Sequence, residues 1–268
     1  MENNNIEDIE YEQTRKTGIY SILYYFIFMY FIAVIIQIIL MGVAPVITGV
    51  DLLLPNTENE LHPINELFIL SWTQIVVYIG LTIGLICLTK KYLVKHFVNF
   101  LQNRKSLSLE FLIGFGIFWG ATILSNLLLE LLNIEGDSTN QEIIISILNG
   151  DYKWIVTFIL VILGPLCEEI IFRHSFFSVF KKNTNKWIKI LISGAIFGGI
   201  HFVTAIINYI NMDASITVIL EEIVLGLSYI VSGIALGYIY TRCKENLVPV
   251  LLIHILNNAI AAVEIFIS

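Results

Sequence analysis

Seven stretches of mainly apolar residues follow one another along the chain, at 19–47, 67–88, 109–132, 154–180, 187–209, 216–240 and 248–267. Each is close to or above the about 20 residues that an α-helix needs to cross a hydrocarbon core. The pattern predicts an all-α polytopic membrane protein, a helical bundle of about seven transmembrane helices. A shorter amphipathic stretch at 140–150 predicts an interfacial helix, and an eighth span only if it inserts. The fourth run is long, and Gly164-Pro165 inside it predicts a kink, because proline brings no backbone N–H. Small residues four apart at Gly80 and Gly84, Gly116 and Gly120, Gly194 and Gly198, and Gly233 and Gly237 predict close helix approach. The chain thereby divides into a polar N-terminal segment at 1–18, N-terminal transmembrane helices at 19–150 and a C-terminal transmembrane core at 151–268.

Composition agrees with the pattern. With 57% hydrophobic and 14% charged residues the chain is too apolar for a soluble domain. The first run is longer than the roughly 7 to 15 residues of a signal-peptide core and reads as a retained span. Cys87, Cys167 and Cys243 lie in or beside apolar runs without metal-type spacing, so no disulfide framework follows. A net charge of -7 argues against nucleic acid as a partner.

The placement of the basic residues is more telling than their sum. Of the 15 Lys and Arg residues, all but Lys153 and Arg173 fall before the first run, between the second and third, between the fourth and fifth or (Lys189) at the very start of the fifth, or between the sixth and seventh. The positive-inside rule then puts the N-terminus in the cytoplasm and the C-terminus outside a multi-pass chain of the cell membrane. The opposite loops carry Asp51, Glu58, Glu60, Glu135, Asp137, Asp151 and Asp213.

The candidate chemistry sits inside the apolar runs. Glu168, Glu169 and Arg173 occur within six positions of the fourth, where each ionisable side chain costs roughly 2.5 to 3.5 kcal/mol to insert, so a functional reason is the first hypothesis. Glu169 and Arg173 stand at i,i+4 and pair, while Glu168 points about 100° away and is left as a candidate general base. The fifth run holds Phe197 and His201, the seventh His254 and Asn258. At 1.5 Å per residue from the basic ends, Glu168, His201, His254 and Asn258 fall roughly 20, 18, 12 and 18 Å deep, a common level near mid-bilayer. A single buried histidine is more often a packing residue; four polar groups at one depth on three helices indicate a site.

Other polar positions read more plainly. Glu221 and Glu222 are expected at the outer interface, with a substrate-entrance rim as their functional alternative. His62 and His96 fall in predicted loops, and His174 is cavity-lining or structural. Cys167 reads as an inert buried thiol rather than a nucleophile. Tyr20, Trp154 and Trp187 read as interfacial anchors.

Glu168-Glu169-x-x-x-Arg173, then Phe197-x-x-x-His201, then His254-x-x-x-Asn258, in this order on successive spans, resembles the CAAX protease and bacteriocin-processing (CPBP, or Abi) family of intramembrane proteases. The resemblance runs from roughly Trp154 to the C-terminus. It implies an endopeptidase acting on membrane-associated peptides or proteins, in which Glu168 and His201 activate a water and His254 and Asn258 stabilise the oxyanion. Glu169 and Arg173 would orient the helix, and Phe197 would pack or line the cleft. The substrates it implies are lipidated peptides, bacteriocin or pheromone precursors, or single-span proteins, within the lipid bilayer.

A metal-free glutamic mechanism with no cofactor is expected, because Asn258 is a poor zinc ligand and a good oxyanion donor. The alternative is zinc held by Glu168, His201 and His254. The rival from another class is a non-catalytic immunity factor, scaffold or transporter whose buried charges only gate or bind.

Overall fold

The computed structural model describes residues 2–55 and 60–268, with side chains from Asp8 onward. Glu58 lies outside the described residues. Among the described residues, seven helices are long and apolar enough to cross a membrane: α1 (Asp8–Thr48), α2 (Pro63–Gln102), α3 (Arg104–Leu131), α5 (Lys153–Val179), α6 (Lys186–Asn211), α7 (Ile216–Arg242) and α8 (Leu247–Ile267). A short helix α4 (Thr139–Leu148) lies between α3 and α5. Among the described residues there is no strand beyond one isolated bridge from Leu53 to Leu61. The protein is an all-α polytopic membrane bundle.

Two boundaries differ from the sequence expectation. α2 does not stop near 88; it runs on to Gln102, 40 residues and about 60 Å in all, so the segment with Lys90, Lys91 and Lys95 is helix and not loop. The extension is held by burial, since Thr89 and Tyr92 pack inside. His96 is therefore a helical residue, and its Nε2 lies 3.2 Å from His174 Nδ1. His62 is the N-cap of α2, its Nδ1 accepting from Ile64 N at 3.3 Å, with Pro63 in the first turn where a missing N–H does no harm. Residues from Glu2 are already helical and run into the first span. Ion pairs from Lys95 to Glu10 and from Lys182 to Asp8, with the Tyr11 hydroxyl donating to Phe180 O at 2.7 Å, tie that end to α2 and the α5–α6 turn.

The kink expected at Pro165 takes a definite form. Residues Ile159–Leu163 make a turn of π-helix, in which Gly164 N–H bonds the Ile159 carbonyl five residues back. In that register Pro165 would follow with Leu160 O as its acceptor, but it has no N–H to give. A second π turn spans Ile170–Ser175, so the six residues Gly164–Glu169 sit between two local unwindings.

α6 and α7 approach most closely where the small residues align. A Cβ on Gly194 would stand 2.6 Å from Ile234 Cγ1 and 2.7 Å from its backbone N, and one on Gly233 would stand 2.7 Å from Gly194 O. Gly116 and Gly120, by contrast, have nothing within 4 Å and do not mark a packed face. Tyr20, Trp154 and Trp187 are exposed.

Replacing Gly194 by Leu should lower bundle stability by about 1–3 kcal/mol through overpacking, while Gly120→Leu should stay within about 0.5 kcal/mol of wild type. Denaturant unfolding in mixed micelles reads both; equal losses at the two positions would contradict the α6–α7 contact.

Candidate active site

Glu168 and Glu169 end the short α-helical stretch between the two π turns, and both point into the bundle. Glu169 and Arg173 are fully buried. Their contact, Arg173 Nε to Glu169 Oε2 at 3.1 Å, is an ion pair lying off the N–H axis rather than an aligned hydrogen bond. The guanidinium also lies 5.0 Å from the centre of the Phe197 ring and 3.4 Å from Ser193 Oγ, whose hydroxyl donates to Phe172 O. Phe197 is thus a packing partner of Arg173.

The second carboxylate oxygen of Glu169 meets α8. His254 Nδ1 lies 2.9 Å from Glu169 Oε1, and because that carboxylate is held by Arg173 the imidazole is the donor. His254 Nε2 then faces Glu168 Oε2 at 3.6 Å. Sequence reasoning left Glu168 without a partner and joined it to His201; the imidazole in contact with it is His254, because α8 packs directly against this part of α5. Tyr78 of α2 also lies against Glu168, a neighbour that the sequence reading missed. An aromatic in an ordinary apolar run carries no local signal that it faces a carboxylate.

His201 and Asn258 complete the wall. His201 Nδ1 sits 2.7 Å from Phe197 O, and a carbonyl only accepts, so Nδ1 carries the proton and Nε2 is the basic nitrogen. Asn258 Nδ2 donates to Leu160 O at 3.1 Å, the carbonyl left free by Pro165. That uses one of its two N–H groups. Glu168, His201, His254 and Asn258 line one cavity of about 510 Å³, also lined by Tyr78 and Tyr229.

Several polar positions lie elsewhere. A cavity of about 780 Å³ is lined by Lys95, Lys182, Lys189, Arg242, Lys244 and the His96–His174 pair, with none of the four candidate groups. Cys167 is buried beside Thr82 Oγ1. Cys243, just past α7, is buried, which pushes its thiol up to about 12. Glu221 is exposed, but Glu222 is not interfacial: it is 4% exposed and accepts from Thr139 N at 3.2 Å and Thr139 Oγ1 at 2.9 Å. It serves the start of α4, where a carboxylate complements the unpaired amides. Among the described residues, no three His, Cys, Asp or Glu side chains stand close enough together to hold a metal ion.

Comparison with known proteins agrees with the geometry. Residues 150–260 match the family described as type II CAAX prenyl endopeptidase Rce1-like. This part of the chain is similar to the Rce1-like proteins, consistent with a resemblance to the CPBP family. The Rce1-like segment holds α5 to α8 almost whole, and with them every one of the candidate groups. An uncharacterized protein of Mycoplasma capricolum subsp. capricolum is 29% identical over 222 residues, which cover 80% of this chain and 59% of that protein. The chain thus spans less than two thirds of this relative. No solved structure matches.

Replacing Arg173 by Met strands the Glu169 carboxylate in the core, and the expected destabilisation is about 3–5 kcal/mol. Chemical unfolding of the purified variant measures it; a stability equal to wild type would mean that the pair is not buried as described.

Proposed function

We propose that the protein is an intramembrane endopeptidase that hydrolyses peptide bonds of membrane-associated peptides or proteins by a metal-free, water-activating mechanism. The observation that carries this reading is the cavity on which Glu168, His201, His254 and Asn258 converge within an Rce1-like segment. Peptide hydrolysis needs a base for water and donors for the oxyanion, and both are offered here in a low-dielectric setting.

Glu168 takes the proton of a water held between it and the basic Nε2 of His201. The oxygen attacks the scissile carbonyl, and the proton passes to the leaving amine. The developing oxyanion is met by the second N–H of Asn258 and by the imidazole of His254. Glu169 orients that imidazole from the Nδ1 side while Arg173 balances Glu169. The Pro165 kink supports the site indirectly, because Leu160 O fixes the Asn258 amide.

The substrate reading follows the family: lipidated peptides, or peptide pheromone or bacteriocin precursors, reaching the cavity from the bilayer. The cytoplasmic assignment of the N-terminus is supported by the gathering of Lys95, Lys182, Lys189, Arg242 and Lys244 around one cavity.

With purified protein and a fluorogenic peptide pool, Glu168→Gln and His201→Ala should each lower turnover at least about 10²-fold while the fold is retained. Undiminished turnover in Glu168→Gln would refute the general base, and absence of turnover in wild type would favour a non-catalytic gate or scaffold. Turnover should survive a zinc chelator; loss on chelation with recovery on added zinc would overturn the metal-free assignment.

A further inference from the structure

His201 Nδ1 donates to a carbonyl of its own helix, and the plane of the ring about that contact is set by the rings beside it. Phe197 lies against it tilted by 48°, with centroids 5.0 Å apart, and the ring that faces it in parallel is that of Tyr229 of α7. The two rings are stacked, with centroids 4.7 Å apart and planes 11° from parallel. The Tyr229 hydroxyl is itself tied down: it lies 2.8 Å from Ser138 Oγ and accepts from Asn140 Nδ2 at 3.2 Å.

Ser138 is the N-cap of α4 and accepts from Gln141 N, so the tyrosine is fastened to the first turn of that helix. The turn is fixed independently. Thr139 is bonded by the buried Glu222 and by the Tyr209 hydroxyl at 2.8 Å, while Ile147 and Leu148 bury the other end. A short helix between spans thus reaches a catalytic imidazole through a single aromatic side chain.

We infer that Tyr229 is a positioning residue for His201, stacking on its imidazole and anchored in turn by the first turn of α4. The inference rests on the assignment of His201 to water activation. Tyr229 touches neither water nor carbonyl in that assignment; it sets the plane in which His201 Nε2 meets them. α4, which also lines the cavity through Ile144 and Leu148, becomes part of the catalytic apparatus.

The test uses the full chain in nanodiscs with two readouts. In peptide turnover, Tyr229→Leu should lower kcat about 10-fold or more with KM within about twofold, and Tyr229→Phe, which keeps the stack but gives up the hydroxyl anchor to α4, should fall between wild type and Tyr229→Leu; a misplacement near 1 Å can cost about 10²-fold. In ¹⁵N-histidine NMR, the His201 signal, assigned by its loss in His201→Gln, should show the Nδ1–H tautomer alone in wild type and Tyr229→Phe. In Tyr229→Leu it should become a mixture of tautomers. A Tyr229→Leu protein with unchanged kcat and a single tautomer overturns the inference. A tautomer mixture in Tyr229→Leu beside a wild type that cleaves nothing supports the positioning of His201 and sinks the protease reading instead.

Discussion

The structure around the site depends on one buried charge, the carboxylate of Glu169. In a core of this kind an unpaired ion is prohibitively costly, so the chain must bring opposite charge and donors to it from more than one direction. Arg173 comes from the same helix, across a π turn, and His254 comes from α8. Because both contacts are needed, α5 and α8 are locked in register, and Glu168 and Asn258 arrive in the same cavity as a consequence. Phe197 then binds α6 to the cluster by lying under the guanidinium, which brings His201 one turn further along into the same space.

A second constraint is the backbone itself. Two π turns and a proline disturb α5 on either side of the carboxylates, and in a membrane each displaced carbonyl must find a donor within the protein. Asn258 answers one of them. The irregularity therefore does chemical service, since it fixes the orientation of an amide that a straight helix would leave to rotate. The same logic holds at α4, where Glu222, Tyr209 and Tyr229 satisfy a helix start buried against the bundle.

Much of this was legible before any coordinates. Spans are readable because twenty apolar residues leave a helix as the only economical backbone, and buried ionisable residues stand out against them. Depth could be counted from basic ends, which is why Glu168, His201, His254 and Asn258 could be placed at one level. What could not be read is azimuth. A residue count gives height along a helix but not which neighbour it faces, so the contact of Glu168 with His254, and the approach of Tyr78 and Tyr229, appear only when helices are packed. Glu222 misled for the same reason: near a helix end it reads as interfacial, until α4 is seen folded over it. The loop assigned to His96 failed because a Lys-rich segment marks where a span leaves the bilayer, not where its helix stops.

The central claim, that Glu169 and His254 are coupled across α5 and α8, is tested most directly by a double-mutant cycle of Glu169→Gln and His254→Phe on unfolding free energy. The account predicts a coupling of about 1–3 kcal/mol, the range for groups sharing one buried network. Additivity within about 0.3–0.5 kcal/mol would contradict it, because two side chains that do not sense one another cannot be holding the site together.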